Sequence, residues 1–189
     1  MSTATTAAAP AAVTLPAGTW TVDPIHSSVG FEVKHFGIST FRGRFTGYEG
    51  TIETGDGTIE RVEGRVQVAS VDVRDEQLAA HLQSEDFLDA ERHAEIAYAS
   101  PGVRALGDGR FELTGELTIR GVTRPVTLDV TVDGAGADPY GGERISLAGR
   151  GEIDRFDYGI PFDAKTPTGA LMAGEKVRLV LSVEAVKEA

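Results

Sequence analysis

Apolar and polar side chains alternate with a period of two through most of this chain, and that alternation confines it to half-buried antiparallel sheet. Val29, Phe31 and Val33 share one face, opposite Gly30, Glu32 and Lys34. Phe41, Gly43, Phe45 and Gly47 alternate with Arg42, Arg44 and Thr46, and Val62, Gly64, Val66 and Val68 with Glu63, Arg65 and Gln67. Ile96 and Tyr98 keep the rule, as do Phe111, Leu113, Gly115, Leu117 and Ile119. Val126, Leu128, Val130 and Val132 follow, then Ile145, Leu147 and Ile153, and finally Val177, Leu179, Leu181 and Val183.

Turn residues separate these runs. Gly55-Asp56-Gly57, Gly107-Asp108-Gly109 and Asp138-Pro139-Tyr140-Gly141-Gly142 are hairpin connectors. With a short strand around Trp20 the count reaches about nine. An all-β fold of that size curls, and closing about eight strands into a single antiparallel barrel removes the exposed edges. A two-sheet sandwich is the alternative. One segment breaks the period: in Asp75 to Ser84, Leu78 and Leu82 lie four apart and Asp75 and Glu76 suit a helix start. A short helical insert is therefore expected near 75–90, with Phe87 and Leu88 behind it as an apolar plug. It either caps one end of the barrel or packs over a sheet face.

Six glycines fall on the inward phase: Gly43, Gly47, Gly64, Gly115, Gly149 and Gly151. A strand glycine costs stability and removes packing volume. Either these glycines let strands bend, or they leave a tunnel. On the second reading, replacing Gly115 or Gly149 with Leu blocks the tunnel and spares the fold. An eight-stranded barrel is at the size where side chains fill it or leave room for one ligand. Strands of about nine residues, tilted near 40°, make a barrel roughly 20–25 Å tall. At about 0.8 kcal/mol per buried CH₂, roughly fifteen to twenty carbons suffice for micromolar binding after ordering costs.

The net charge of −11 argues against nucleic acid and anionic membrane as partners. The chain has no cysteine, which excludes disulfides and thiolate metal sites. No apolar run approaches the roughly 20 residues of a membrane span, so no stable membrane insertion is expected. Residues 1–18 are rich in Ala, Thr and Pro and lack the charged and apolar regions of a secretory signal. They read as a disordered tail before a domain at 19–186, and a cytoplasmic location is the expectation.

Chemistry-bearing motifs are sparse. GxSxG, P-loop, GxGxxG and HExxH patterns are missing, and the four histidines (His26, His35, His81, His93) show no metal-ligand spacing. No catalytic residue and no metal site are expected. His35 continues the inward phase of Val33, which places it at a barrel mouth. Asp154, Arg155, Asp157 and Asp163 read as a salt-bridged loop.

Several stretches resemble the YceI-like family of polyisoprenoid-binding proteins. Trp20-Thr21-Val22-Asp23-Pro24-Ile25-His26-Ser27-Ser28-Val29 with Phe31-Glu32-Val33-Lys34-His35 is similar to its opening. Gly43-Arg44-Phe45 and Gly50-Thr51-Ile52 fit the next part, and Arg74-Asp75 with His81 to Ala90 fits its helical insert. Gly115 to Val126 and Gly151 to Ile160 are similar to its later motifs. The likeness runs over roughly residues 19 to 186, and its motifs identify a fold more than a ligand. It implies a lipocalin-like barrel with a hydrophobic tunnel for a polyisoprenoid or quinone tail, and by analogy a homodimer. No cofactor is implied beyond that bound lipid.

Joined to strand phase, the resemblance makes a binding protein the leading expectation. Phe31, Val33, Phe45, Val66, Tyr98, Phe111, Leu113, Leu117, Leu147 and Leu179 line the tube; Gly43, Gly64, Gly115 and Gly149 open it; His35 and Arg42 meet the head group. An enzyme on a lipophilic substrate with His35 as base is one alternative, marked by a second polar inward residue near it. A ligand-free stress-response or interaction module is the other, marked by a packed barrel.

Overall fold

The computed structural model describes residues 15–55 and 57–188. Its strands are β1 (Gly18–Val22), β2 (Ser28–His35), β3 (Ser39–Phe45), β4 (Tyr48–Gly55), β5 (Thr58–Gln67) and β6 (Val71–Asp72). They continue as β7 (Glu95–Gly107), β8 (Arg110–Ile119), β9 (Val122–Ala137), β10 (Glu143–Asp154) and β11 (Ala173–Lys187). One helix of eight residues, α1 (Glu76–Gln83), sits between β6 and β7. Asp75 starts it, its carboxylate accepting the Leu78 N–H at 2.8 Å and satisfying a donor that the first turn leaves free.

The sheet closes on itself. β1 pairs with both β4 and β11, which completes an eight-strand antiparallel ring in the order β1-β4-β5-β7-β8-β9-β10-β11. β11 is long enough to carry two partners on one edge. β1 takes Ala185 to Lys187, whereas β2 takes Ala173 to Ser182 and is followed by β3 and β6. The wall is therefore β1 and β4 at one end and β2, β3 and β6 at the other.

Inward phase follows the alternation. Val126, Leu128, Val130 and Val132 are buried, as are Phe111, Leu113, Leu117 and Ile119 on neighbouring β8, where Phe111 faces Val130 and Leu113 faces Leu128. Two of the bulges change which residues face inward. In β5 the register passes from Glu53↔Arg61 to Thr54↔Ile59, leaving Glu60 unpaired and turning Ile59 inward. In β7 the shift between Ala99 and Gly102 buries Ser100 and then turns Val103 to the core. The β8–β9 hairpin turns on Arg120 and Gly121, both with positive φ, the two-residue geometry that matches strand twist.

One barrel end is solid. Leu15, Trp20, Ile59 and Ile145 there are at most 1% exposed. The Trp20 indole donates to Thr54 Oγ1 at 2.7 Å, and Thr54 in turn donates to the Pro16 carbonyl at 2.6 Å. The expected tail ran to Gly18. Residues 1–14 lie outside the described residues, but Leu15 to Gly18 belong to the barrel, and burying Leu15 is worth about 1.5–3 kcal/mol.

Candidate ligand-binding tunnel

Above that plug the interior is hollow. An inner chamber of about 200 Å³ and an outer one of about 290 Å³ both touch Phe31, Phe45, Ile96, Ile119 and Leu179, so they adjoin along the barrel axis. Val66, Tyr98, Leu113, Leu117 and Leu147 face the inner chamber, and Val33 faces the outer one. Phe111 is buried in the surrounding core but lines neither chamber. Arg42 lies on the outer wall. Its Nε pairs with Glu32 at 2.8 Å in solvent, so the structure does not bring it to the mouth with His35. The cause is the strand period, which turns Arg42 away from its inward neighbours Phe41 and Gly43.

The inner chamber has few polar atoms to offer. The Tyr48 hydroxyl donates to the Ser27 carbonyl at 2.6 Å, and that of Tyr98 to the Leu113 carbonyl at 3.0 Å. Burial pushes both phenols above their ordinary value, so they stay neutral donors. Glu63 and Arg65, which border the same chamber, spend their charges outside on Arg61 and Glu95.

Four of the inward glycines divide into two kinds. A Cβ on Gly43 would lie 2.3 Å from Phe31 Cζ, and one on Gly115 would lie 2.5 Å from the Ala99 carbonyl and 2.8 Å from the Tyr98 hydroxyl. These two make room for aromatic rings. Gly64 and Gly149 border the inner chamber itself. At Gly64 the nearest atom to a Cβ is the Glu49 carbonyl at 3.7 Å, ordinary contact. At Gly149 it is a flexible Leu181 methyl at 3.2 Å. Leucine at Gly115 therefore does not spare the fold, contrary to expectation.

The outer chamber is closed over by the helical insert. Leu78, His81 and Leu82 from α1, with Phe87 and Leu88 behind it, face His35, Phe41, Ile160, Phe162 and Met172. Phe87 stacks on Phe162 at 4.7 Å between ring centroids, and His81 meets both rings edge-on. The helix thus covers one end of the barrel rather than a sheet face. His35 lies at this mouth, its ring 3.7 Å from that of Phe36.

Arg155 lies inside the barrel mouth and not in a surface loop. It is 2% exposed and lines the outer chamber. Its guanidinium donates to the carbonyls of Gly174 and Ala173, both at 2.9 Å, and of Ile160 at 3.4 Å. The expected salt-bridged loop does not form around it, because Asp154 caps the Phe156 N–H and pairs with Lys176 instead. Burial lowers the guanidinium below its ordinary value, and an arginine side chain keeps its charge in proteins. The available signal was position: Arg155 stands two residues beyond inward Ile153.

At the solid end, Asp23, His26 and Glu184 come together at metal-ligand spacing. A guanidinium already fills that role. Arg144 Nη1 lies 2.7 Å from Asp23 and 2.6 Å from Glu184, with its Nε 3.1 Å from Asp138. Arg144, then His26, holds the Asp23 carboxyl well below the usual carboxylate range. The group is a clasp joining the β1–β2 connection to β10 and β11.

The YceI-like domain model matches residues 20–185. The chain belongs to the YceI-like family. It is 34% identical over 165 residues to Protein YceI of Escherichia coli O157:H7, covering 86% of this chain and 83% of that one. Among solved structures it is similar to Burkholderia cenocepacia BcnA, with a TM-score of 0.75 at 21% identity over 86% of this chain and 98% of that one. It is also similar to a polyisoprenoid binding domain from Saccharophagus degradans, with a TM-score of 0.67 at 12% identity over 92% of this chain and all of that one (100%). The YceI-like stretches at His81 to Ala90, Gly115 to Val126 and Gly151 to Ile160 supply the end of α1, the β8–β9 hairpin and the turn that carries Arg155. Each of the three contributes a lining residue of the outer chamber: Leu82, Ile119 and Arg155.

Proposed function

We propose that this YceI-like barrel binds a long-chain isoprenoid lipid, of polyprenyl or quinone type, and serves as its carrier, store or sensor without chemical turnover. The observation that carries the reading is the pair of adjoining apolar chambers, closed at one end by Leu15 and Trp20 and bordered at the other by His35 and α1. A tube of that shape suits a thin hydrocarbon better than a compact metabolite, and apolar burial supplies the affinity. The description of the Saccharophagus degradans neighbour as a polyisoprenoid binding domain points the same way. A ligand-free module would need a packed barrel, and the chambers speak against it.

Extraction of the purified protein with organic solvent, followed by mass spectrometry, tests the reading. A polyprenyl or quinone species recovered in stoichiometric amount is the expected result. No extracted lipid, together with no uptake of a prenyl alcohol or a quinone, contradicts it.

One observation favours a second reading, chemistry on a lipophilic substrate with His35 as base: His81 and Arg155 line the same chamber. Its mark is a pH-dependent activity that His35→Ala removes.

A further inference from the structure

Hydrocarbon binding does not require ionisable groups, yet the outer chamber is bordered by several, and none of them is acidic. Its ionisable residues are Lys34, His35, His81 and Arg155, all basic, in a chain whose net charge is −11. Three of them reach solvent. His81 pairs with Asp86 at 3.1 Å, and Lys34 donates to Thr40 Oγ1 at 3.3 Å. Arg155 differs, being 2% exposed. Among the described residues no carboxylate lies within salt-bridge distance of it. Asp154, Asp163 and Glu175 act on it only through the longer-range field.

Main-chain carbonyls satisfy N–H donors but do not neutralise a charge. Taking an ion out of water costs several kcal/mol unless a counter-charge is present. A guanidinium has five N–H donors, and the Gly174, Ala173 and Ile160 carbonyls occupy three. Two remain, one on each terminal nitrogen, and donors of this kind are the ones by which a guanidinium holds the oxygens of an oxyanion.

We propose that Arg155 receives an oxyanion head group, a phosphate or a carboxylate, on the hydrocarbon held in the tunnel. This rests on the lipid-binding reading above and narrows it. An acidic prenyl lipid or long-chain acid is preferred over a neutral quinone or alcohol with the same tail. The tail runs inward past Phe31 and Phe45, and the head stays in the outer chamber.

The test compares ligands that differ only in the head: geranylgeranyl phosphate against geranylgeraniol, and stearate against stearyl alcohol, each titrated into the full chain. The wild-type protein is expected to bind at least one acid roughly tenfold more tightly than its alcohol, a difference of about 1.4 kcal/mol. Which pair shows it tells phosphate from carboxylate. Arg155→Gln is expected to bring acid and alcohol within about twofold, leaving the alcohol's affinity in place. Equal affinities in the wild-type protein overturn the proposal even if Arg155→Gln fails to fold. Lys34→Gln tests the rim instead: loss of the acid preference there assigns the head group to the rim and overturns the role of Arg155. Binding of the alcohols without acid preference sinks this inference and leaves the lipid-binding reading standing. Failure of all four ligands to bind sinks both.

Discussion

The Phe31 ring lies directly over Gly43 on the neighbouring strand, so close that a methyl group on Gly43 would sit 2.3 Å from Cζ. The ring fills that space and continues to Phe45 at 5.8 Å between centroids, forming the contact where the two chambers meet. Gly115 and Tyr98 repeat the relationship on β8 and β7.

Alanine at Gly115 must displace the Ala99 main chain as well as the Tyr98 ring. Overpacking of this kind costs about 1–3 kcal/mol. Urea unfolding should show Gly115→Ala with a lowered midpoint and an unchanged slope. Gly43→Ala should be milder, because the Phe31 ring can swing into the tunnel. Equal stability of Gly115→Ala and the wild-type protein would contradict this account of the glycines.

Gly64 is the position for blocking the tunnel. Its Cβ site is open, with the nearest atom at 3.7 Å, and it borders the inner chamber. Gly64→Leu should fold with near wild-type stability and lose affinity for long prenyl chains by at least about tenfold, since several buried CH₂ groups at about 0.8 kcal/mol each are displaced. Short chains held in the outer chamber should be little affected. Undiminished long-chain binding by a folded Gly64→Leu protein would place the ligand elsewhere.

Thr54 links the indole of Trp20 to the carbonyl of Pro16 through one hydroxyl. Thr54→Val keeps the shape and leaves both partners buried without a bond. The expected loss is about 1–3 kcal/mol in equilibrium unfolding. A red-edge change in Trp20 fluorescence should accompany it, since the indole N–H loses its acceptor.

The Arg144 clasp predicts an acid limb. Asp23 has its carboxyl held below the ordinary value of about 3.9 when the chain is folded. A lowered folded pKa contributes stability that is fully present above the unfolded value and is lost as pH falls from there toward the folded one. Asp23→Asn should therefore be less stable than the wild-type protein at pH 7, and the gap should close steadily below about pH 4. A gap that stays constant from neutral pH to pH 3 would show that the clasp does not act through the charge of Asp23.

The barrel was legible because β8 and β9 state their phase without interruption, from Phe111 to Ile119 and from Val126 to Val132. Where the phase slips, the sequence misleads. Nothing in the polar stretch Thr58 to Arg61 says that Glu60 bulges out and Ile59 turns in, because a bulge is settled by the register of the partner strand. Leu15 was hidden by the Ala- and Pro-rich company it keeps. The glycines could be placed on the inward face but not sorted, since that depends on which neighbouring ring folds over them. Arg155 was hidden by three nearby acids, although the partners it takes are carbonyls brought in from residues 160 to 174.

Titration of the full chain with geraniol, farnesol and geranylgeraniol tests the central claim, that the interior is a tube for a prenyl chain, most directly. Each added isoprene unit brings five carbons worth about 0.8 kcal/mol apiece before ordering costs. The dissociation constant should fall at least about fivefold at each step and level off once the two chambers are full. No binding, or affinity that does not change with chain length, would contradict it.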